Sequence, residues 1–335
     1  MKIAFFELEG WEEPIIKKAL PEDEIILKND KITGDHLPEE KDYEVISTFV
    51  NSPVDKAVIE ALPNLKLIAT RSTGFDHIDL DTCKEKGIRV VNVPGYGDPT
   101  VAEHAFSLIL NLTRKTFQGI DRIKETGTFS FDGLRGIDLN EKTIGVIGAG
   151  RIGRSLIKMA KGFGMKVIAY DPFPNEEAAK ELGFEYSSLE ELLKSSDVIS
   201  LHVPYNEKTH HLLNKDNMKL IKKGAYLINT ARGGLIETDA LVNALKDGIL
   251  AGAGLDVLEE EGEIKDEVGF LTKGHPNSES LKTSLENHIL MNMPNVLITP
   301  HNAFNTQEAL ERILNTTLEG IKGYKEGKEV NVVKK

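Results

Sequence analysis

Short apolar runs alternate with amphipathic stretches along the whole chain. In the N-terminal part, Lys2–Phe6, Glu24–Leu27, Val45–Phe49, Leu65–Thr70 and Arg89–Val93 predict strands, and Trp11–Ala19 and Val54–Ala61 between them carry helical spacing. A second series starts at Thr143 with TIGVIG. It continues through KVIAYD, DVISLHV, AYLINT, GILAGAGLDV and NVLITPH, which ends at His301. These runs are apolar or β-branched at nearly every position, the pattern of strands covered on both faces. Strand–helix–strand order with short connections predicts parallel α/β sheets. Between the two series, Asp98-Pro99-Thr100 supplies turn and cap signals for a helix over Thr100–Thr116, and a last helix is predicted near Thr306–Glu326. The expected architecture is therefore α/β, with two Rossmann-like or flavodoxin-like parallel-sheet domains and a cleft between them. One domain is discontinuous (residues 1–99 and 303–335), and the other (100–302) is inserted into it.

Length agrees, since 335 residues suit about two domains. With 41 basic against 53 acidic side chains the net charge is −12, which repels phosphate backbones and argues against a nucleic-acid partner. Cys83 is the single cysteine, so neither an intrachain disulfide nor a multi-cysteine metal site is expected, which suits a reducing cytoplasm. No trio of His or carboxylates has ligand spacing on one element, so no metal is expected. Acidic residues arrive too early for a signal peptide. The longest stretch without Asp, Glu, Lys or Arg, Asn287–Gln307, holds five Asn, two His and two Pro, so no membrane association is expected.

Gly148-Ala149-Gly150-Arg151-Ile152-Gly153 is a G-x-G-x-x-G run placed between a predicted strand and a predicted helix. The next strand ends at Asp171, 23 residues beyond Gly148. Gly148 permits a tight turn, Gly150 lets the backbone approach a pyrophosphate, and Gly153 lets helix and strand pack closely. The helix N-terminus offers unpaired N–H groups to the anion. Asp171 can accept from ribose hydroxyls and would repel a 2′-phosphate, which favours NAD over NADP. Arg151 suits either the pyrophosphate or a solvated helix start.

Arg232, Asp256 and His301 follow predicted strands directly, with Glu261 five residues after Asp256. Ligands gather at the carboxyl ends of parallel strands. Each residue has a plainer reading: a turn arginine, one glutamate in the run Glu259–Glu261, a loop histidine. The blocks VIGAGRIG, NTARGG, GLDVLEEE and ITPHNAF, in this order, resemble the D-isomer-specific 2-hydroxyacid dehydrogenase family. PHNAF and VPGYGDPTVAEHA are most similar to its D-lactate dehydrogenase subgroup. The resemblance covers nearly the whole chain. It implies a catalytic trio of Arg232, Glu261 and His301, and it is the family pattern, not spacing, that selects Glu261. It implies that Asp256 holds the nicotinamide carboxamide, and that Arg151, Ile152, Asp171, Val203, Pro204, Thr209, Thr230 and Ala231 line the cofactor, next to Arg232. His202 either joins that groove or simply packs. Thr73 and Gly74 match the segment whose N–H groups hold a substrate carboxylate, with Tyr96 and Phe304 approaching the substrate; apart from the resemblance, Phe49 reads equally as a side chain facing the substrate or as core packing. The 100–302 domain would bind NAD and the other domain the substrate.

These roles are chemically coherent. A forked guanidinium suits the carboxylate of a 2-oxo acid, and an imidazolium can protonate the carbonyl oxygen as it receives hydride, with Glu261 fixing the tautomer. The implied activity is reversible NAD-dependent reduction of pyruvate or a similar small 2-oxo acid. Glycerate-, phosphoglycerate- or glyoxylate-acting relatives and an NAD(H)-sensing corepressor-like protein are the alternatives. Arg71 is the one basic residue near the substrate loop, too little for a phosphorylated substrate. His104, on an apolar helix, reads as a core histidine, His210 and His211 as loop residues, and Cys83 as inert. A homodimer through the NAD domain is a family expectation. The chain departs from the family in the 45 residues from Asp256 to His301, where the long 262–290 segment either walls the cleft or lies on the surface.

Overall fold

The computed structural model describes residues 1–261 and 278–333 and divides them into two compact units, 1–96 with 306–333 and 97–305. In the first unit, β1 (Lys2–Phe5), β2 (Glu24–Leu27), β3 (Val45–Thr48), β4 (Leu67–Thr70) and β5 (Arg89–Val91) form a parallel sheet in the order β2-β1-β3-β4-β5. β3 and β4 are buried at every position, as continuous apolar runs require when both faces are covered. One face packs Ile46, Val58, Ile59 and Ile68; the other packs Phe5, Ile16, Leu67 and the Gln307–Lys325 helix through Leu314, Leu318 and Ile321. Thr306 caps that helix by accepting from Ala309 N–H.

The second unit holds β6 (Thr143–Ile147), β7 (Lys166–Tyr170), β8 (Glu185–Tyr186), β9 (Val198–Leu201), β10 (Ala225–Asn229), β11 (Leu250–Leu255) and β12 (Val296–Ile298). Their order, β12-β11-β10-β9-β6-β7-β8, is wholly parallel. It reverses between β6 and β9, which makes a switch point at their carboxyl ends. The Asp98–Arg114 helix buries Ala102, Ala105, Leu108, Ile109 and Leu112 against this sheet.

The boundaries fall three residues from the expected ones at each crossing. Pro99 stands in the first turn of a helix that begins at Asp98, so Gly97–Pro99 belong with the second unit. Residues 303–305 stay there too, because Ala303 N–H bonds to Asp256. The helix also ends earlier than predicted: Lys115 takes a left-handed conformation (φ 51°), and a separate helix, Thr116–Thr126, buries none of its residues. Among the described residues no helix is long and apolar enough to cross a membrane.

Candidate active site

The loop after β6 is shaped by its glycines. Gly148 has φ +98°, and a Cβ there would lie 2.7 Å from the His202 carbonyl. A Cβ on Gly153 would lie 2.0 Å from the Gly148 carbonyl oxygen, so neither tolerates a side chain. Above Gly150, by contrast, a Cβ would meet nothing within 4 Å, and this residue starts the Arg151–Gly162 helix with no side-chain cap. The open space over uncapped N–H groups fits a pyrophosphate. Asp171 is held beside it: Oδ2 accepts from Ala149 N–H at 2.9 Å and Oδ1 from Phe173 N–H at 2.9 Å. Thr230 Oγ1, just past β10, is buried with no hydrogen-bond partner among the described residues, a donor and acceptor awaiting one.

The other residues named for the cofactor groove have contacts of their own within the chain. His202 bonds through Nε2 to Ser200 Oγ at 2.9 Å, and burial pushes its imidazole down to about 4, so it is neutral at pH 7. It is the main chain of His202, not its ring, that meets Gly148. Thr209 donates to the Pro204 carbonyl and accepts from Asn206 N–H, which closes the 204–209 turn. The exposed Arg151 lies 3.5 Å from Asp98. Val203 is buried, with its methyl against Gly148, and Ile152 is half-buried.

The turn after β10 is tied by Asn229, whose side chain accepts from Ala231 N–H and donates to the Arg232 carbonyl. Arg232 is extended (φ −146°), and its Nη1 donates to the Ala231 carbonyl at 2.8 Å. A Cβ on the next residue, Gly233, would sit 2.0 Å from the Leu258 carbonyl carbon. The Arg232 turn therefore presses directly on the loop that leads to Glu261.

Asp256 ends β11 fully buried and organises the segment after β12. Its Oδ1 accepts from Thr299 Oγ1 at 2.5 Å and Asn302 N–H at 2.8 Å, and its Oδ2 from Ala303 N–H at 2.9 Å. His104 Nε2 lies 3.0 Å from Thr299 Oγ1 and 3.3 Å from Asp256 Oδ1. Burial alone would raise the Asp256 carboxyl, but His104, Thr299 and the two N–H groups together hold it below the usual range. These contacts are to its own unit's loop and helix, so Asp256 anchors the loop that carries His301. His301 itself has φ +52°, its N–H bonds to the Asp256 carbonyl at 2.8 Å, and its Nδ1 meets Glu261 Oε1 at 2.8 Å. A non-glycine residue in the left-handed region is held there by its surroundings, as at many functional positions. Phe304 is half-buried beyond it.

In the first unit, Thr73 is exposed, its hydroxyl donates to the Val93 carbonyl, and Asn92 holds its carbonyl; Ser72 Oγ donates to the Gly74 carbonyl. The Tyr96 carbonyl accepts from Arg312 Nε. Arg71 is not a surface cation. It is buried, donating to the Phe6 and Glu7 carbonyls at 2.7 Å each and lying 3.6 Å from Glu12, with Phe49 beside it at 5.8 Å from Cζ to the ring centroid. Cys83 is buried, and burial, with Asp79 nearby, pushes its thiol up to about 11.

A family model described as D-isomer specific 2-hydroxyacid dehydrogenase, NAD binding domain, matches residues 106–303. The chain belongs to the D-isomer specific 2-hydroxyacid dehydrogenase family. It is 38% identical over 335 residues, 98% of each chain, to a 2-hydroxyacid dehydrogenase homolog of Zymomonas mobilis. It is 36% identical over 330 residues to a glyoxylate reductase of Thermococcus litoralis, covering 96% of this chain and 88% of that one. Its fold matches a crystal structure of D-lactate dehydrogenase from Aquifex aeolicus complexed with NAD and lactic acid, with a TM-score of 0.85 at 41% identity, over 97% of this chain and 96% of that chain. This family member is thus an oxidoreductase whose cofactor is NAD, and the open cradle at Gly150, the tethered Asp171 and the unpartnered Thr230 hydroxyl fit that cofactor.

Sequence reasoning passed over His104, Thr299 and Asn229 as site builders, and over the pair His211–Glu259, whose Nε2 and Oε1 are 2.6 Å apart. Of the long 262–290 segment, residues 262–277 lie outside the described residues. The Ser278–Met291 helix follows, and its Asn287 donates to the Glu259 carbonyl.

Proposed function

We propose that this dehydrogenase reversibly reduces pyruvate, or a close small 2-oxo acid, to the D-2-hydroxy acid: a D-lactate dehydrogenase. The observation that carries the reading is the 2.8 Å contact of His301 Nδ1 with Glu261. It leaves Nε2 as the nitrogen that faces chemistry. Gly148, Gly150, Gly153, Asp171 and Thr230 would hold NAD, which when bound and reduced supplies hydride to the substrate C2. Arg232 binds the substrate carboxylate in a fork. His301 gives its Nε2 proton to the carbonyl oxygen as negative charge grows there, and takes the hydroxyl proton in the reverse direction. Glu261 accepts the Nδ1 proton's hydrogen bond, fixes the tautomer and stabilises the imidazolium. The lactic acid in the Aquifex complex supports lactate as substrate, and the inward-turned Arg71 offers nothing to a second phosphate charge.

The test is purified protein with NADH and a panel of pyruvate, glyoxylate, glycerate-derived and aromatic 2-oxo acids, followed at the nicotinamide absorbance band. The expected result is the highest kcat/KM on pyruvate, with NAD reduced by D-lactate and not by L-lactate. A clear preference for glyoxylate, the substrate named for the Thermococcus relative, moves the chain to that branch. No turnover with any acid despite NADH binding leaves a cofactor-sensing protein.

Glu261→Gln should leave a working enzyme whose reductive rate falls off at lower pH than in the parent. The amide keeps the hydrogen bond but removes the charge that favours the imidazolium. An unchanged pH–rate profile counts against the pairing. We also propose a homodimer through the NAD-binding unit. The Thr116–Thr126 helix exposes Phe117, Ile120 and Ile123, and Phe129 and Phe131 beside it are 93% and 86% exposed, an apolar patch of the kind that subunits cover.

A further inference from the structure

Two residues before Glu261, a second histidine–carboxylate pair stands at the same end of the sheet. Glu259 Oε1 meets His211 Nε2 at 2.6 Å, while its Oε2 accepts from Thr238 Oγ1 at 2.7 Å and Thr238 N–H at 3.3 Å. Glu259 therefore serves as a distant cap for the Thr238–Lys246 helix, which has no side-chain cap of its own. Its backbone carbonyl takes Asn287 Nδ2 at 2.8 Å. His211 is fixed just as firmly. Its N–H bonds to the Gly234 carbonyl, its φ is +48°, and its ring stacks on His210 at 3.8 Å between centroids, with Tyr205 OH 3.0 Å from His210 Nδ1.

The pair thus fastens three segments at one point: the 204–211 loop, the Gly233–Gly234 turn directly after Arg232, and the strand-end loop that leads to Glu261. Between Glu259 and Glu261 lies Glu260, itself at φ +57°. Glu259, held on both oxygens, thus anchors the main chain two residues before Glu261. We infer that His211, through Glu259, is a positioning residue that sets Glu261 against His301. The inference rests on the reading of His301 and Glu261 as the proton-transfer pair. Among the described residues the titratable groups that meet His211 are Glu259 on the facing loop and His210 on its own, the latter holding Tyr205.

The test compares His211→Asn, His211→Gln, Glu259→Gln and Glu261→Gln in the full-length enzyme. Asparagine tolerates the left-handed backbone but stops short of Glu259; glutamine restores an amide nitrogen near the position of Nε2. His211→Asn should lower kcat by roughly 10- to 100-fold, the scale of a displaced catalytic group, and by no more than Glu261→Gln does at the same pH, with KM for the 2-oxo acid little changed. Its reductive pH profile should move in the same direction as that of Glu261→Gln. His211→Gln should recover most of the rate, and His211→Asn/Glu261→Gln should be no slower than Glu261→Gln alone, since both act on one interaction. Glu259→Gln, isosteric and gentler on the fold, should show the same profile shift in smaller measure. A shifted profile in Glu261→Gln with unshifted ones in His211→Asn and Glu259→Gln overturns this inference alone, as does a double variant whose loss is the product of the two. An unshifted profile in Glu261→Gln overturns the underlying proton-transfer reading and this inference with it.

Discussion

Replacing His301 with asparagine should lower kcat for 2-oxo acid reduction by about 10²- to 10⁴-fold, the usual contribution of a positioned general acid, with NADH affinity unchanged. Asparagine is the informative choice because His301 sits at φ +52°. Most residues would strain there, whereas Asn enters the left-handed region readily. The backbone bonds from His301 N–H to the Asp256 and Thr299 carbonyls at 2.8 and 2.9 Å then survive, and so does the loop held by Asp256. An amide can still reach Glu261, yet it cannot deliver a proton at neutral pH. Loss of turnover with intact folding and intact NADH binding isolates the proton-transfer step. Steady-state kinetics together with a fluorescence titration of NADH decide the matter, and a variant that keeps more than a tenth of the parent kcat removes His301 from the role of proton donor.

How far the site was legible follows from which of its parts are local. The dinucleotide loop lies within one strand–turn–helix, and its glycines and Asp171 are read from spacing because their roles are local: Gly148 and Gly153 leave no room for a Cβ, the latter by a 2.0 Å clash, and Asp171 accepts from the Ala149 N–H of the same loop. β9 and β10 are buried throughout and stand out as unbroken apolar runs. β8 does not, since two edge residues, one exposed and one half-buried, leave no pattern. The expected helix over Thr100–Thr116 ends within two residues of the observed Arg114, but the separate helix Thr116–Thr126 that follows the left-handed Lys115 was not expected, since it buries none of its residues and lysine carries no left-handed preference. The supports of His301 are hidden for a different reason. His104 and Thr299 are 195 residues apart in the chain, and His211 and Glu259 are 48 apart. Glu259 and Glu261 are neighbours in a run of three acids, yet one is bound to His211 and the other to His301. Only the fold distinguishes them.

Arg71→Leu should be the most destabilising of the single changes considered, costing about 3–5 kcal/mol by stranding a buried partner and lowering the melting of the first unit by on the order of 10 °C. The arginine is 3% exposed and reaches the Phe6 and Glu7 carbonyls at the carboxyl end of β1 and Ser47 Oγ in β3. Glu12, 6% exposed, is 3.6 Å away. Burial raises the Glu12 carboxyl, while Arg71 and the Glu9 N–H pull against it. Removing Arg71 takes away the main charge that keeps Glu12 ionised. A carboxyl whose folded value is raised above the unfolded one favours unfolding at high pH, where the unfolded chain holds the charge in water, and this penalty fades as pH falls and the buried group is protonated. The stability deficit of Arg71→Leu against the parent should therefore be largest at pH 7 to 8 and shrink toward pH 5. Arg71→Leu/Glu12→Gln should recover much of it at neutral pH. If thermal melts show a deficit that is the same at both pH values and is not relieved by the second change, the cost lies in the lost bonds to the two carbonyls, and the ion pair contributes little to holding β1, β3 and the end of β4 together.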